Sequence, residues 1–226
     1  MNRSNLDYVK ERLFSELNKI YRISRTDFAL IEQHLEFKRV LKKTLLAAKS
    51  KQEENLLFIC AGYVRQFYCT NSGKEINKAF DFENNILLNL HLETANGTRL
   101  HVEALEDTVF ISLPMDILWK LCSTNLAWSN LVRILVQVEA HRVEDRETRL
   151  LLDNAETRYV NFVTANEQNI HRIPNYHIAS YIGITQEALS RIKRRIVLTN
   201  DKTADVQKYK EKSRYINSEL TTLAST

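Results

Sequence analysis

The chain has 226 residues, of which 44% are hydrophobic and 27% charged, with four glycines and two prolines. These values exclude a disordered chain and a long flexible linker, and they fit one large domain or two modest ones. The net charge of +4 is mild, but between His171 and Arg195 five cations (Arg172, Arg191, Lys193, Arg194 and Arg195) face Glu187 alone, an excess as large as that of the whole chain. Such a segment is either a solvated face or the footprint of a polyanionic partner.

In chain order, "NLDYVKERLFSELNKIY" places Leu6, Val9, Leu13, Leu17 and Ile20 at steps of three and four, the spacing of an amphipathic helix. "SRTDFALIEQHL" predicts a second helix with Ser24 as its cap. "FKRVLKKTLLAAK" reads as strand or helix. From "NLLFICAGYVRQFYC" onward the signals are strand-like, with Gly62 inside that stretch. "TNSGKE" is a turn, "INKAFDF" is extended, and "RLHVEAL" and "TVFISL" are two further strands. Short strands this close, with no helices between them, predict an antiparallel roll or barrel.

After Pro114, "MDILWKLCSTN" predicts a short helix and "AWSNLVRILVQVEAHRVEDRETRLLL" a long one. Trp128, Leu131, Leu135 and Val138 step by three and four along it, a coiled-coil-like seam expected to form a homodimer interface. "AETRYVNFVTAN" continues as helix.

Three cysteines (Cys60, Cys69 and Cys122) without paired spacing argue against a disulfide framework and a zinc site. No apolar run is long enough for a membrane span, and charges are spread through "MNRSNLDYVKERLF", so a cytoplasmic setting without a membrane partner is expected.

The most informative stretch is "NYHIASYIGITQEALSRIKRRI", Asn175 to Ile196. A helix-turn-helix needs a residue tolerant of left-handed backbone at its turn and a small residue where its two helices cross. Gly183 and Ala179, four positions apart, meet both needs. Ile178, Ile182, Ile184, Leu189 and Ile192 are placed to seal the contact, and Thr185 to cap the second helix. Its outward residues are then Gln186, Glu187, Ser190, Arg191, Lys193 and Arg194. Arg donates twice to guanine, Glu accepts from cytosine, and Ser or Gln reads several bases, so Gln186, Glu187, Ser190 and Arg191 are the candidate base readers. Lys193, Arg194 and Arg195 are candidate phosphate contacts, with Tyr176, His177 and Thr185 beside them. The bland alternative is a surface ion pair between Glu187 and Arg191.

The segment Arg172 to Ile196 resembles the C-terminal DNA-binding segment of the Crp/Fnr family of bacterial transcription regulators, and "GYVRQFY", "AFDFE" and "VEALEDTVFISLP" look like that family's cyclic-nucleotide-binding-type β-roll. The resemblance implies an α+β chain. Its parts are an antiparallel β-roll sensor domain over 1–125, a dimerisation helix over 126–152, and a helix-turn-helix, winged-helix-like domain over 153–226 with a polar tail. It implies double-stranded DNA as partner, read at a palindromic site by a homodimer, and RNA polymerase as a further partner of the regulator. Cyclic AMP is not expected as effector, because "FENNILLNLHLETANGTRLHVEALED" lacks the Gly-Glu and Arg-Ser pairs of the family members that bind it. An iron–sulfur cluster would need four cysteines, and no cofactor or metal is predicted; the effector is unknown. No Gly-rich phosphate loop, HExxH or nucleophile elbow occurs, so an enzyme is not expected. The competing reading is a ligand sensor or scaffold on the same fold with weak DNA binding.

Overall fold

The computed structural model describes residues 3–46, 54–70, 72–89 and 100–199. The chain divides into two compact units, 1–139 and 140–226, and the division falls inside one long helix.

The first unit opens with α1 (Arg3–Ile20) and α2 (Arg25–Glu32). Ser24 starts α2 through a capping box: its hydroxyl accepts from the Asp27 N–H, and the Asp27 carboxylate accepts from the Ser24 N–H. Seven strands follow, β1 (Glu36–Val40), β2 (Asn55–Ala61), β3 (Val64–Cys69), β4 (Glu75–Asp81), β5 (Ile86–Asn89), β6 (Leu100–Ala104) and β7 (Thr108–Pro114). They form two antiparallel sheets, ordered β1-β7-β2-β5 and β4-β3-β6. The ambiguous stretch after Glu36 is therefore strand at its start, and the architecture is the antiparallel roll with flanking helices that the sequence predicts.

Two details of the strands differ from the sequence reading. "NLLFICAGYVRQFYC" is two strands joined at Gly62, which has φ +78°. A Cβ there would lie 2.7 Å from both the Asp107 carbonyl oxygen and the Thr108 hydroxyl, so both the backbone and the space demand glycine. β5 carries no strand signal in the sequence, because "ILLN" has no alternation of apolar and polar residues.

β2 lies between two cores. Leu56, Phe58 and Cys60 join Leu13, Leu17, Phe28, Ile31 and Leu113 in a cluster under the helices. Leu57 and Ile59 face the other way, with Val64, Leu87, Val102 and Phe110. A strand buried on both faces reads as a continuous apolar run.

The helix α3 (Met115–Cys122) and the first half of α4 (Leu126–Leu152) close the unit. Trp128, Leu131 and Leu135 of α4 are buried in the cluster under the helices, and the Trp128 indole N–H donates to the Asp27 carbonyl at 3.0 Å. Val138 is half-buried. The seam expected to pair two copies thus packs its first three residues into this chain's own core. The sequence spacing identified an apolar side of α4 but not which partner covers it.

The second unit continues with α5 (Ala155–Ala165), a single 3-10 turn (Ile170–Arg172), α6 (Asn175–Ile182) and α7 (Gln186–Thr199). Asn154 caps α5 by accepting from the Thr157 N–H at 2.9 Å. Among the described residues of this unit, Phe162, Ile173, Ile178, Ala179, Ile182, Leu189 and Ile192 are the buried apolar ones. The described part of this unit is helical; the polar tail, whose sequence argues against a full β wing, lies outside the described residues.

Candidate nucleic-acid interface

The turn between α6 and α7 forms as its residues require. Gly183 adopts φ +76° and ψ +38°, the left-handed region. The Ile184 N–H donates to the Ala179 carbonyl at 3.0 Å and the Gly183 N–H to the Ser180 carbonyl at 3.4 Å, the paired bonds of a Schellman ending. Ala179 is buried at the helix crossing. Thr185 then starts α7, its hydroxyl accepting from the Ala188 N–H at 3.2 Å.

The inner side of α7 is fixed by Leu189 and Ile192, both buried. Gln186, Glu187, Ser190 and Arg191 are all exposed. The Ser190 hydroxyl donates to the Gln186 carbonyl at 3.0 Å and keeps acceptor capacity for a base. The Glu187 carboxyl is held below its ordinary range, first by its own backbone N–H, then by the Thr185 hydroxyl, with the charge of Arg191 adding. A carboxylate at this position is ionised at neutral pH and acceptor-only, which suits an amino donor and repels a phosphate. The four candidate base readers therefore lie together on the open side of one helix.

The candidate phosphate contacts are less uniform. Arg194 and Tyr176 are exposed. Lys193 donates to Asn175 Oδ1 at 2.9 Å, tying α7 to the start of α6. Arg195 pairs with Glu156 at 3.0 Å, with both side chains substantially exposed, so a phosphate can compete for it. Thr185 is exposed, with its hydroxyl engaged in the cap. His177 corrects the sequence reading. It is 4% exposed, with its ring 4.1 Å from that of Tyr176, and in this arrangement offers no surface donor to a phosphate. Three consecutive residues of α6 (His177, Ile178 and Ala179) are buried, so this short helix is covered on more than one side and its exposed face is narrower than a simple amphipathic pattern implies.

Asn175 and Glu156, which hold Lys193 and Arg195, escaped the sequence reading. Nothing local marks either of them, since each partner lies well away in sequence. Elsewhere, His101, the one described histidine of the β6 segment, stacks on Phe67 at 5.1 Å. Among the described residues no group of three or more His, Cys, Asp or Glu is placed to hold a metal ion, and no helix is long and apolar enough to cross a membrane.

No family model matches the sequence, and no curated protein matches it significantly. Solved structures do match. FixK2 from Bradyrhizobium japonicum aligns with a TM-score of 0.63 at 19% identity, covering 74% of this chain and 86% of that one. A CooA variant from Carboxydothermus hydrogenoformans aligns at 0.61 and 18%, covering 82% and 89%. A protein from Eubacterium rectale described as a transcriptional regulator of the Crp/Fnr family aligns at 0.59 and 18%, covering 78% and 84%.

Proposed function

We propose that this chain, which has the fold of the Crp/Fnr transcription regulators, is a sequence-specific DNA-binding regulator that acts as a homodimer on a palindromic site. The observation that carries the reading is the open side of α7, where a glutamine, a glutamate, a serine and an arginine stand exposed while Leu189 and Ile192 face inward. In each half-site Arg191 would donate to the two acceptors of a guanine, and Glu187 would accept from a cytosine amino group. Arg194, Tyr176 and the exposed Arg195 would hold phosphates and fix the register.

The dimer contact in this reading moves to another side of α4. Val136 and Val143 are 41% and 45% exposed and Leu150 37%, and the three are spaced seven apart, with Ala140 exposed between the first two. Seven-residue spacing keeps apolar residues on one seam between paired helices. At 100° per residue this seam lies roughly a quarter-turn round the helix from Trp128 and Leu135, which are already spent inside the chain.

Independence from cyclic AMP is part of the reading. In the β4-β3-β6 sheet Gln66 donates to Asp81 at 2.7 Å, and Lys78 pairs with Glu139 at 2.6 Å. Arg65 bonds both Glu75 and Glu103. The cations Lys78 and Arg65 already have carboxylate partners, and residues 90–99 of the stretch that lacks the Gly-Glu and Arg-Ser pairs lie outside the described residues. The competing sensor or scaffold reading draws on the engagement of Lys193 and Arg195, which leaves fewer cations for DNA.

One variant separates the two. Arg191→Ala is expected to weaken specific binding by about 1–3 kcal/mol and relax the choice at one base pair, while leaving the melting temperature unchanged. Fluorescence anisotropy on labelled duplexes measures the first effect. Unchanged affinity and unchanged base preference would remove α7 from the reading role.

A further inference from the structure

The last turn of an α-helix leaves four carbonyls without an intrahelical N–H. In α6 these belong to Ala179, Ser180, Tyr181 and Ile182. The Schellman ending takes the first two. Two arginines from other elements take the rest. Arg146 of α4 donates through Nη2 to the Tyr181 carbonyl at 3.1 Å, and Arg158 of α5 donates through Nε to the Ile182 carbonyl at 2.8 Å. All four carbonyls are then satisfied.

Arg158 does more than cap. Its Nη1 donates at the same time to the carbonyl of Asp153, the residue after the end of α4. One guanidinium therefore fastens the end of α6 to the end of α4. Arg146 adds a second fastening between the same two helices, with its guanidinium carbon 5.1 Å from the centre of the Tyr181 ring. A planar group with donors in a fixed fork suits two carbonyls in set directions, and an ammonium does not. The positive charge also lies where the helix dipole is negative. These bonds end one residue before Gly183, so they hold the base of the turn from which α7 departs.

We propose that Arg158, assisted by Arg146, is a positioning residue for DNA recognition: by locking the carbonyl end of α6 to the end of α4, it sets the direction in which α7 presents Glu187, Ser190 and Arg191. This rests on the reading of α7 as the DNA-reading helix. In a dimer joined through α4, the distance between the two reading helices depends on that attachment. Loosening it widens the range of half-site spacings that the dimer accepts and lowers discrimination between sites. Phosphate contacts from Arg194 and Tyr176, which take no part in the attachment, persist.

The test uses the full chain with Arg158→Met and Arg158→Lys. Each is checked for a cooperative thermal transition, titrated with random-sequence duplex, and then used to select bound duplexes from a pool in which the spacer between half-sites varies in length. The expected result for Arg158→Met is random-duplex affinity within about threefold of wild type, a loss of about tenfold in the ratio of specific to random binding, and a broadened spacer distribution. Arg158→Lys keeps the charge but not the fork, and is expected to show the same broadening with a smaller loss. If Arg158→Met fails to fold, Arg158→Lys decides. A folded variant with wild-type spacer preference and wild-type discrimination overturns the proposal. Failure of the wild-type protein to select any sequence overturns instead the DNA-reading assignment on which it rests, and the proposal with it.

Discussion

The β4-β3-β6 sheet and α7 are built from the same polar residue types and use them in opposite ways. In the sheet, Arg65 is buried and bonded to Glu75, Glu103 and Asn77, and Gln66 is buried and bonded to Asp81. In α7, Gln186, Glu187, Ser190 and Arg191 are exposed and are organised chiefly by the helix that carries them. Burial of a charge is tolerated only when it is paired and hydrogen-bonded, so the sheet's arginine is committed to the fold. An exposed arginine on a helix carries no such commitment and is available to a partner. The type of a residue does not separate a structural charge from a functional one; its burial and its partners do.

Substitutions in the sheet, in the core and at the turn before α7 sharpen that contrast. The largest effect is expected in the core under the helices. Trp128→Ala removes a fully buried indole and its bond to the Asp27 carbonyl, and is expected to cost about 3–5 kcal/mol in urea unfolding. If Trp128 instead formed the contact between two copies, the loss would appear as dissociation and would depend on protein concentration. Arg65→Ala leaves Glu103 beside a vacated, largely buried site, and should cost about 3 kcal/mol by the same measurement. A near-neutral result there would mean that the carboxylates reach water and that the sheet is not using its arginine structurally. Gly183→Ala is the smallest. A side chain in the left-handed region costs about 1–2 kcal/mol, and the added Cβ would meet only Leu150 Cδ2, at an ordinary 3.5 Å. A calorimetric shift matching that range, with DNA affinity falling alongside it, is the expected outcome.

The helix-turn-helix was legible because its determinants are local. Ala179, Gly183, Thr185, Leu189 and Ile192 lie within fourteen consecutive positions, and each is demanded by backbone geometry or by one packing contact. The roll was legible as a class, since strand-like stretches follow one another without helices. The turn at Gly62 was hidden because its reason is the distant backbone at Asp107. The Trp128 seam was legible as apolar and misassigned as intermolecular, because heptad-like spacing does not say whose side chains fill it. His177 was misplaced for a related reason, since only the packed unit shows α6 covered on several sides. The roles of Arg146 and Arg158 depend on the carbonyls of Tyr181 and Ile182, more than twenty positions away, and the sequence alone carries no sign of them.

The account depends most on α7 reading DNA from each half of a dimer, and selection of bound sequences from a pool of random duplexes tests this directly. The predicted result is a palindrome with a G·C pair at a fixed position in each half, and with half-site centres about 34–36 Å apart, one helical turn, or a multiple of it. Enrichment of no sequence, or of a single unrepeated half-site whose composition is indifferent to Arg191→Ala, would contradict it.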